Sequence, residues 1–226
     1  EFPSPTATAD LDAAYAMAPE RSELLAPMLT QAMREGDAKA QAKWSAELER
    51  RNAIAPPLLT AASDVLLCIG PNGILFTNGD MDTQPAVVRQ LEHNQRPDVL
   101  VVDRRLVADA GYRARTWAQA GAEGTVPGAG PAFAQALLKA TQRPVYLALS
   151  LDPNWFAAFK GRLHATGSAF RIGYDFSTAN FVDYDGTTPT RAAITMATGQ
   201  GIFGNALNRS GNGLPRQTIL GGDMFG

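Results

Sequence analysis

The spacing of apolar residues predicts two helices in the first quarter of the chain. Apolar side chains recur every three or four residues from Leu24 to Met33 and stop at Gly36, which is typical of an amphipathic helix and its C-cap. Asp37 is placed to cap a second helix that extends to Arg51. Because the two patterns meet at Gly36, we expect an antiparallel helical hairpin.

Proline residues bound this helical region. Pro3 and Pro5 lie among small polar residues, so residues 1–9 are expected to form an extended tether. Pro56 and Pro57 end the helical pattern, and the hairpin region is predicted to cover residues 10–62. One such hairpin also resembles a single tetratricopeptide-type repeat, but no fixed sequence period connects it with a second copy. The hairpin is therefore expected to pack on a sheet or on a partner.

Strand and helix patterns alternate over residues 63–173. Short apolar runs predict strands at residues 74–76, 99–102, 145–149 and 168–172, with a possible further strand at 65–69. Helical patterns separate most of them, at residues 86–95, 106–120, 131–139 and 155–163. This alternation is typical of an α/β domain with right-handed crossovers. We predict a three-layer, mostly parallel, Rossmann-like sheet.

The chain changes character after Gly173. Residues 174–184 are aromatic and acidic, whereas residues 199–226 are rich in glycine and asparagine and contain isolated large apolar residues. Such a segment is too apolar for a plain disordered tail and too rich in glycine for a core element. We predict that residues 174–226 form an irregular strap that becomes ordered on the surface of a partner.

Composition argues against several classes of function. The 226 residues include 20 basic and 22 acidic side chains, a net charge of −2, so no strong positive field attracts nucleic acid or an anionic membrane. The apolar runs are too short to span a bilayer. The single cysteine, Cys68, permits no internal disulfide and is expected to be a small buried hydrophobe. The first residues, beginning at Glu1, are typical of a mature exported protein.

Acidic residues follow several of the predicted strands. Asp80 and Asp82 form an Asp-x-Asp pattern, which holds a divalent cation in some nucleotide-sugar transferases. The pattern also has a structural interpretation, because Asp82 or Thr83 can cap the next helix and residues 78–80 can form the turn before it. Asp103 and Asp152 follow two further strands, so all these side chains are expected at one edge of the sheet. We predict a ligand site of Asp80, Asp82, Thr83, Asp103 and Asp152, with Asp80 and Asp82 as metal ligands and no cofactor besides a divalent cation.

Other polar features of the sequence give weaker indications of a catalytic or binding site. Arg104 and Arg105 follow Asp103 directly, so an ion-pair network without a ligand explains the acidic cluster equally well. The glycine-rich residues 121–130 precede a helix but fit no phosphate-binding fingerprint, and they are expected to be a flexible connection. The two histidines, His93 and His164, share no metal-ligand spacing, and no nucleophile-elbow sequence is present.

Four blocks of the middle region resemble a known family in the same order and at comparable spacing. They are ILFTNGDMDT at residues 74–83, RPDVLVVD at 96–103, RPVYLA at 143–148 and GSAFRI at 167–172. Residues 64–173 are thereby similar to the soluble extracytoplasmic domain of a family of bacterial membrane proteins related to protein O-mannosyltransferases. Members of this family carry a multi-helix membrane region ahead of the domain, where glycosyl transfer is thought to occur. Met81 and Asp103 stand where the family tends to have asparagine, so the resemblance implies fold and an extracytoplasmic location more than activity.

Two functions remain open at the level of the sequence. The first is a non-catalytic accessory or structural subunit in the periplasm or at the cell surface, after removal of a targeting segment. It docks through its hairpin and strap onto a larger membrane-associated or filamentous assembly, with proteins or copies of itself as partners and no nucleic acid. The second is an enzyme or sugar-binding module of glycan metabolism that uses Asp80, Asp82 and Asp103 around a divalent cation.

Overall fold

A computed structural model describes residues 5–173 of the chain. Eight α-helices and a five-stranded mixed sheet make up this range. The helices are α1 (Pro5–Met17), α2 (Leu25–Glu35), α3 (Ala38–Arg50), α4 (Pro56–Leu67), α5 (Thr83–His93), α6 (Ala110–Gln119), α7 (Pro131–Ala140) and α8 (Pro153–Ala157). The strands are β1 (Ile74–Thr77), β2 (Leu100–Asp103), β3 (Val145–Ala148), β4 (Leu163–Ala165) and β5 (Ala169–Ile172). The predicted α/β class is confirmed.

Strand β1 lies at the centre of the parallel part of the sheet. The strand order is β2-β1-β3-β5-β4. β1 pairs in parallel with β2, where Ile74 is opposite Leu100, and with β3, where Ile74 is opposite Val145. β5 pairs antiparallel with both β3 and β4. The chain therefore adds β2 on one side of β1 and β3 on the other, so the strand order reverses at β1.

Helices cover both faces of the sheet. Consecutive residues of a strand point to opposite faces. On one face, the ring of Phe76 lies 6.3 Å from that of Phe133 in α7 and 5.4 Å from that of Trp155 in α8. On the other face, the Thr77 hydroxyl lies 2.7 Å from that of Thr83 in α5. β1 and β3 are buried along their whole length, and their sequences, ILFT and VYLA, show no alternation of polar and apolar residues.

Helices α2 and α3 begin and end where the sequence pattern indicates. α2 is followed by Gly36, whose φ of 76° is left-handed, and the Gly36 N–H donates to the Ala32 carbonyl. The Asp37 carboxylate accepts the Ala40 N–H at 3.0 Å and so caps α3. The two helices pack against each other, and their apolar faces join the common core. Local caps and one apolar stripe are sufficient to define both elements.

The prediction of an extended tether at residues 1–9 is wrong for residues 5–9. Helix α1 begins at Pro5. Proline is compatible with a first helical turn because the N–H that it lacks would have no acceptor within the helix. The alternating small residues after Pro5 include alanines, which favour the helical state.

The possible strand at residues 65–69 is also wrong. Residues 65–67 form the end of helix α4, which begins at Pro56 and Pro57. Ala61, Ala62 and Leu66 are buried at helical spacing, so the apolar run is the last turn of an amphipathic helix. Cys68, the C-cap residue, is buried as predicted.

Two predicted helices in the second half are shorter than expected. Residues 106–120 divide at Asp109 into a 3-10 turn (Leu106–Ala108) and α6. The Asp109 carboxylate accepts the Tyr112 N–H at 2.7 Å, so it caps a new helix. The predicted helix at residues 155–163 ends with α8 at Ala157, and Gly161, with a φ of 79°, precedes the unpredicted strand β4. The strand predicted at 168–172 is β5, which runs antiparallel to β3.

The length and the apolar character of the helices show whether any of them could span a membrane. None of the helices in residues 5–173 is long and apolar enough to cross a membrane. The predicted strap at residues 174–226 lies outside the described residues.

Candidate functional site at the carboxyl edge of the sheet

The structure brings the five predicted site residues to the carboxyl ends of β1, β2 and β3. Asp80, Asp82 and Thr83 lie in the turn after β1 and at the start of α5. Asp103 is the last residue of β2, and Asp152 lies between β3 and α8. Because the strand order reverses at β1, the loops after β1 and β3 flank the position where open α/β sheets form a crevice.

Asp82 is a partly buried carboxylate with several backbone and side-chain donors. Its two oxygens accept the Asn78 N–H at 3.0 and 2.9 Å, and one of them accepts the Thr83 N–H at 2.8 Å. The Ser150 hydroxyl, from the loop after β3, donates to the same carboxylate. Asp82 therefore closes the turn after β1, caps α5 and connects both to the loop after β3.

The surroundings of Asp82 act on its pKa in two directions. Burial raises the pKa of Asp82, because the ionised carboxylate loses the solvation that water provides. The hydrogen bond from Ser150 and those from the Asn78 and Thr83 amides lower the pKa, since they favour the ionised form. The negative charge of Asp103 adds to the increase. Burial is the larger effect, and the pKa lies above its ordinary value.

Thr83 links two strands and a helix. Its hydroxyl accepts the Gly79 N–H at 3.1 Å and lies 2.7 Å from the Thr77 hydroxyl. Thr77 donates its proton to the Val102 carbonyl at 3.1 Å, so Thr83 is the donor between the two hydroxyls. Thr83 is completely buried. Its hydroxyl therefore helps to hold β1, β2 and α5 together.

Arg105 pairs with two of the acidic side chains. Asp103, which is 1% exposed, accepts the Arg105 backbone N–H and its Nη2 at 2.8 Å each. The same Nη2 donates to Asp80 at 2.6 Å. Asp80 also accepts the side-chain amide of Gln84 at 3.1 Å. One guanidinium thus offsets the charge of a buried and of an exposed carboxylate.

Arg104 connects the loop after β2 with the loop after β3. Its Nη2 lies 2.9 Å from the Asp152 carboxylate, and its Nε donates to the side-chain oxygen of Asn78. The Asn78 amide in turn donates to the Ser150 carbonyl. The side chains of Arg104 and Asp152 are 28% and 46% exposed, so this ion pair joins the two loops in contact with solvent.

The two candidate metal ligands have different partners. Asp80 binds Arg105 and Gln84, whereas Asp82 accepts turn and helix N–H groups and a hydroxyl. Within residues 5–173 no group of three or more His, Cys, Asp or Glu is arranged to hold a metal ion. A cation between Asp80 and Asp82 would have to displace Arg105 and compete with these amides. The divalent-cation site stays a prediction.

Gln84 is a residue of this edge that sequence reasoning missed. It is 3% exposed, and its side-chain nitrogen, which carries two hydrogens, lies 2.9 Å from both the Ala26 carbonyl and the Thr30 hydroxyl and 3.1 Å from Asp80. Gln84 therefore connects the acidic turn with α2. Its sequence position, in the first turn of a helix, gives no signal of burial, because the surface that buries it belongs to a distant helix. Asn78 and Ser150 did carry a signal, since they are polar residues just after predicted strands.

Comparison with known proteins adds no assignment. No family model, curated protein or solved structure matches the chain. The resemblance of residues 64–173 to a membrane protein family therefore stays a prediction, and the function proposed below is argued from the geometry of the site.

Proposed function

We propose that the chain is a non-catalytic accessory or structural subunit of a larger extracytoplasmic assembly, either membrane-associated or filamentous. The proposal is supported by one observation: each of the five predicted site residues forms hydrogen bonds or ion pairs that join parts of the fold. Asp82 connects two loops, Asp103 holds Arg105, and Asp152 pairs with Arg104. The acidic edge therefore connects loops of the fold, and its carboxylates bind to groups of the protein itself.

Docking on a partner is proposed to use α1 and residues 174–226. The apolar faces of α2 and α3 are buried within the core, together with parts of α5 and α6, so these two helices offer little apolar surface outside. On α1, by contrast, Met17 is 87% exposed. A partner that covers this side chain would remove its apolar area from water, which favours association.

We propose in addition that the domain is a three-layer, Rossmann-like unit that carries α2 and α3 as a helical hairpin. The parallel order β2-β1-β3 and the helices over both faces support the first part. The short connection through Gly36 and Asp37 supports the second.

A pull-down of the tagged full-length chain from its native source tests the assembly proposal. We expect defined proteins of an extracytoplasmic fraction to co-purify, and Met17→Glu to reduce their recovery severalfold because it places a charge in the apolar contact. Met81→Glu is the matched control, since Met81 is 57% exposed but lies at the acidic edge. Recovery of the chain alone, or equal losses in both variants, would contradict the proposal.

Binding of a cation and a sugar at the same edge is the second candidate function. It is favoured by the side chains of Asp80 and Asp152, which are 57% and 46% exposed. Thermal unfolding with Mg²⁺ or Mn²⁺ at matched ionic strength separates the candidates. A cation site predicts a Tm that rises with cation concentration and stops rising in Asp80→Asn, because ligand binding stabilises the folded state by mass action. The accessory proposal predicts the same Tm at every concentration.

A further inference from the structure

Strand β4 forms one edge of the sheet. It pairs with β5, where His164 is opposite Arg171 and Leu163 is opposite Ile172. Among the described residues no strand lies on its other side. Leu163 is partly exposed and Ala165 is exposed. An edge of this kind presents backbone donors and acceptors that can pair with a further strand.

The register shows which backbone groups face outward. The Arg162 carbonyl accepts the Gly173 N–H at 2.8 Å, so Arg162 faces β5. In an antiparallel pair the hydrogen-bonded positions alternate along the strand. His164 therefore also faces β5 with its backbone, and the N–H and C=O groups of Leu163 and Ala165 point away from β5. Among residues 5–173 these four groups have no hydrogen-bond partner, so they can pair with one additional strand.

The β4 edge is basic. Residues 153–173 contain no Asp or Glu. Their ionisable side chains, all exposed or partly exposed, are Lys160, Arg162, His164 and Arg171. A strand that pairs with this edge is therefore favoured electrostatically if it carries carboxylates.

The chain leaves the sheet next to this edge and then becomes acidic. β5 ends at Ile172, and Gly173 lies beside Arg162, the residue that precedes β4. Residues 174–190 contain Asp175, Asp183 and Asp185 and no Lys or Arg. The segment that follows β5 thus has the charge opposite to that of the edge where it begins.

The distance to the outer side of β4 is short compared with the chain that is available. A strand beyond β4 lies two strand spacings from β5, or roughly 10 Å. Residues 174–179, if extended, span up to roughly 20 Å. The residues that follow them, 180–184, are Asn, Phe, Val, Asp and Tyr, and the aromatic and β-branched ones among them favour strands.

We propose that residues 180–185 of the same chain add to the outer edge of β4 as a sixth strand. The backbone groups of Leu163 and Ala165 pair with this strand, and Asp183 and Asp185 offset the positive charge of the edge. Attachment within one chain favours such a short contact, because the tether keeps the local concentration of the segment high. The inference narrows the docking segment of the proposed function from residues 174–226 to residues 186–226 and does not otherwise depend on that function.

Amide hydrogen exchange in the full-length chain, resolved by NMR at Leu163 and Ala165, tests the inference. The test variant carries Val182→Pro together with Asp183→Pro, so that proline replaces a strand residue in either orientation. We expect exchange at both amides to be at least about ten-fold faster in this variant than in the wild type. The matched control, Asn205→Pro with Ala206→Pro, is expected to exchange like the wild type.

Two further measurements keep the test decisive. Exchange at Val102 and Leu147, inside the sheet, shows that the proline variant is folded. Asp183→Lys with Asp185→Lys, which leaves the backbone intact, is expected to accelerate exchange at Leu163 and Ala165 severalfold, and 1 M NaCl to do so in the wild type, because salt screens exposed charges. Equal exchange in the wild type and the proline variant would overturn the inference. Protection that increases with protein concentration would also overturn it, since the added strand would then come from a second copy.

Discussion

Asp103 and Asp80 share the guanidinium of Arg105 but differ in their contact with water. Asp103 is 1% exposed, whereas the Asp80 side chain is 57% exposed. A buried carboxylate depends on its protein partners, because no water replaces a partner that is lost. An exposed ion pair contributes little, since water solvates both charges almost as well. The two aspartates that pair with Arg105 are therefore expected to contribute differently to the stability of the fold.

Substitution of these two residues measures that difference. Asp103→Asn is expected to lower the free energy of unfolding by about 2 kcal/mol, because Arg105 loses a charged acceptor in a buried position. Asp80→Asn is the matched control and is expected to cost less than about 1 kcal/mol. Urea unfolding at pH 7 measures both values. Equal losses in the two variants would show that burial does not separate the two ion pairs.

The raised pKa of Asp82 makes the stability of the chain depend on pH in a defined direction. The folded chain binds the Asp82 proton more tightly than the unfolded chain, because burial disfavours the ionised form. The contribution of this group is therefore fully present below its ordinary pKa. It decreases as the pH rises from there through the folded-state pKa.

Ser150→Ala tests the role of the hydroxyl that bonds to Asp82. Ser150 favours the ionised carboxylate, so its removal is expected to raise the pKa of Asp82 further. The loss of stability is expected to be larger above the folded-state pKa than below it. The carboxyl carbon of Asp82, followed by NMR across a pH titration, gives the midpoint. Ser63→Ala is the control, because the Ser63 hydroxyl bonds to Leu59 and Gln95 and should leave the midpoint unchanged.

At the scale of elements, the connection between α2 and α3 depends on one glycine. Gly36 has a φ of 76°, and a Cβ atom there would lie 2.5 Å from Nε of Arg115 in α6. Gly36→Ala is expected to lower the free energy of unfolding by about 1–2 kcal/mol, from left-handed strain and from displacement of Arg115. Gly128→Ala is the control, since a Cβ atom at Gly128 meets no atom within 4 Å. Thermal or urea unfolding measures both, and a neutral Gly36→Ala would contradict the assigned conformation.

Elements were predictable where local chemistry alone defines them. α2 and α3 have a capping residue at the expected position, and β1, β2 and β3 are short apolar runs between turn residues. α4 was mistaken at its end because a short apolar run fits a buried helical turn and a buried strand equally well. β4 was missed because Leu163 is the one large apolar residue in Leu163–Ala165. This segment is a strand only through its pairing with β5.

At the scale of the whole molecule, Arg143 holds the amino ends of the parallel strands. Its guanidinium donates to the carbonyls of Asn72 at 2.6 Å and Gly73 at 3.2 Å, ahead of β1. It also donates to the carbonyls of Gln119 and Asp98 at 2.9 Å each, after α6 and ahead of β2. One planar fork thus joins loops that lie far apart in the sequence.

Arg143→Lys is expected to lower the free energy of unfolding by about 1–2 kcal/mol, because an ammonium group cannot donate to four carbonyls at once and the partly buried Asp98 carbonyl loses its donor. Arg50→Lys, at an exposed position of α3, is expected to leave stability unchanged. Urea unfolding followed by fluorescence and by circular dichroism gives both values. Non-coincident transitions in Arg143→Lys would show that the loops separate before the rest of the domain unfolds.

The position of the candidate site was predictable from the sequence, but the burial and the partners of its side chains were not. Polar residues after parallel strands collect at one edge for topological reasons, so Asp80, Asp103 and Asp152 could be placed together from the sequence. Which carboxylate is buried, and which arginine it binds, depends on loops separated by many residues. Gln84 shows this most clearly, because its burial against α2 is decided by packing between distant helices.

The sequence by itself determined the α/β class, the succession β1-α5-β2, the C-cap of α2 and the N-cap of α3, since these follow from apolar spacing and from residues that satisfy helix ends locally. Only the tertiary structure decided three features: the antiparallel pairing of β5 with β3 and β4, the placement of β2 and β3 on opposite sides of β1, and the pairing of the acidic edge with Arg104 and Arg105. The reason is physical: pairing and burial are properties of surfaces that meet in space, and their energies depend on partners that no local window of the chain contains.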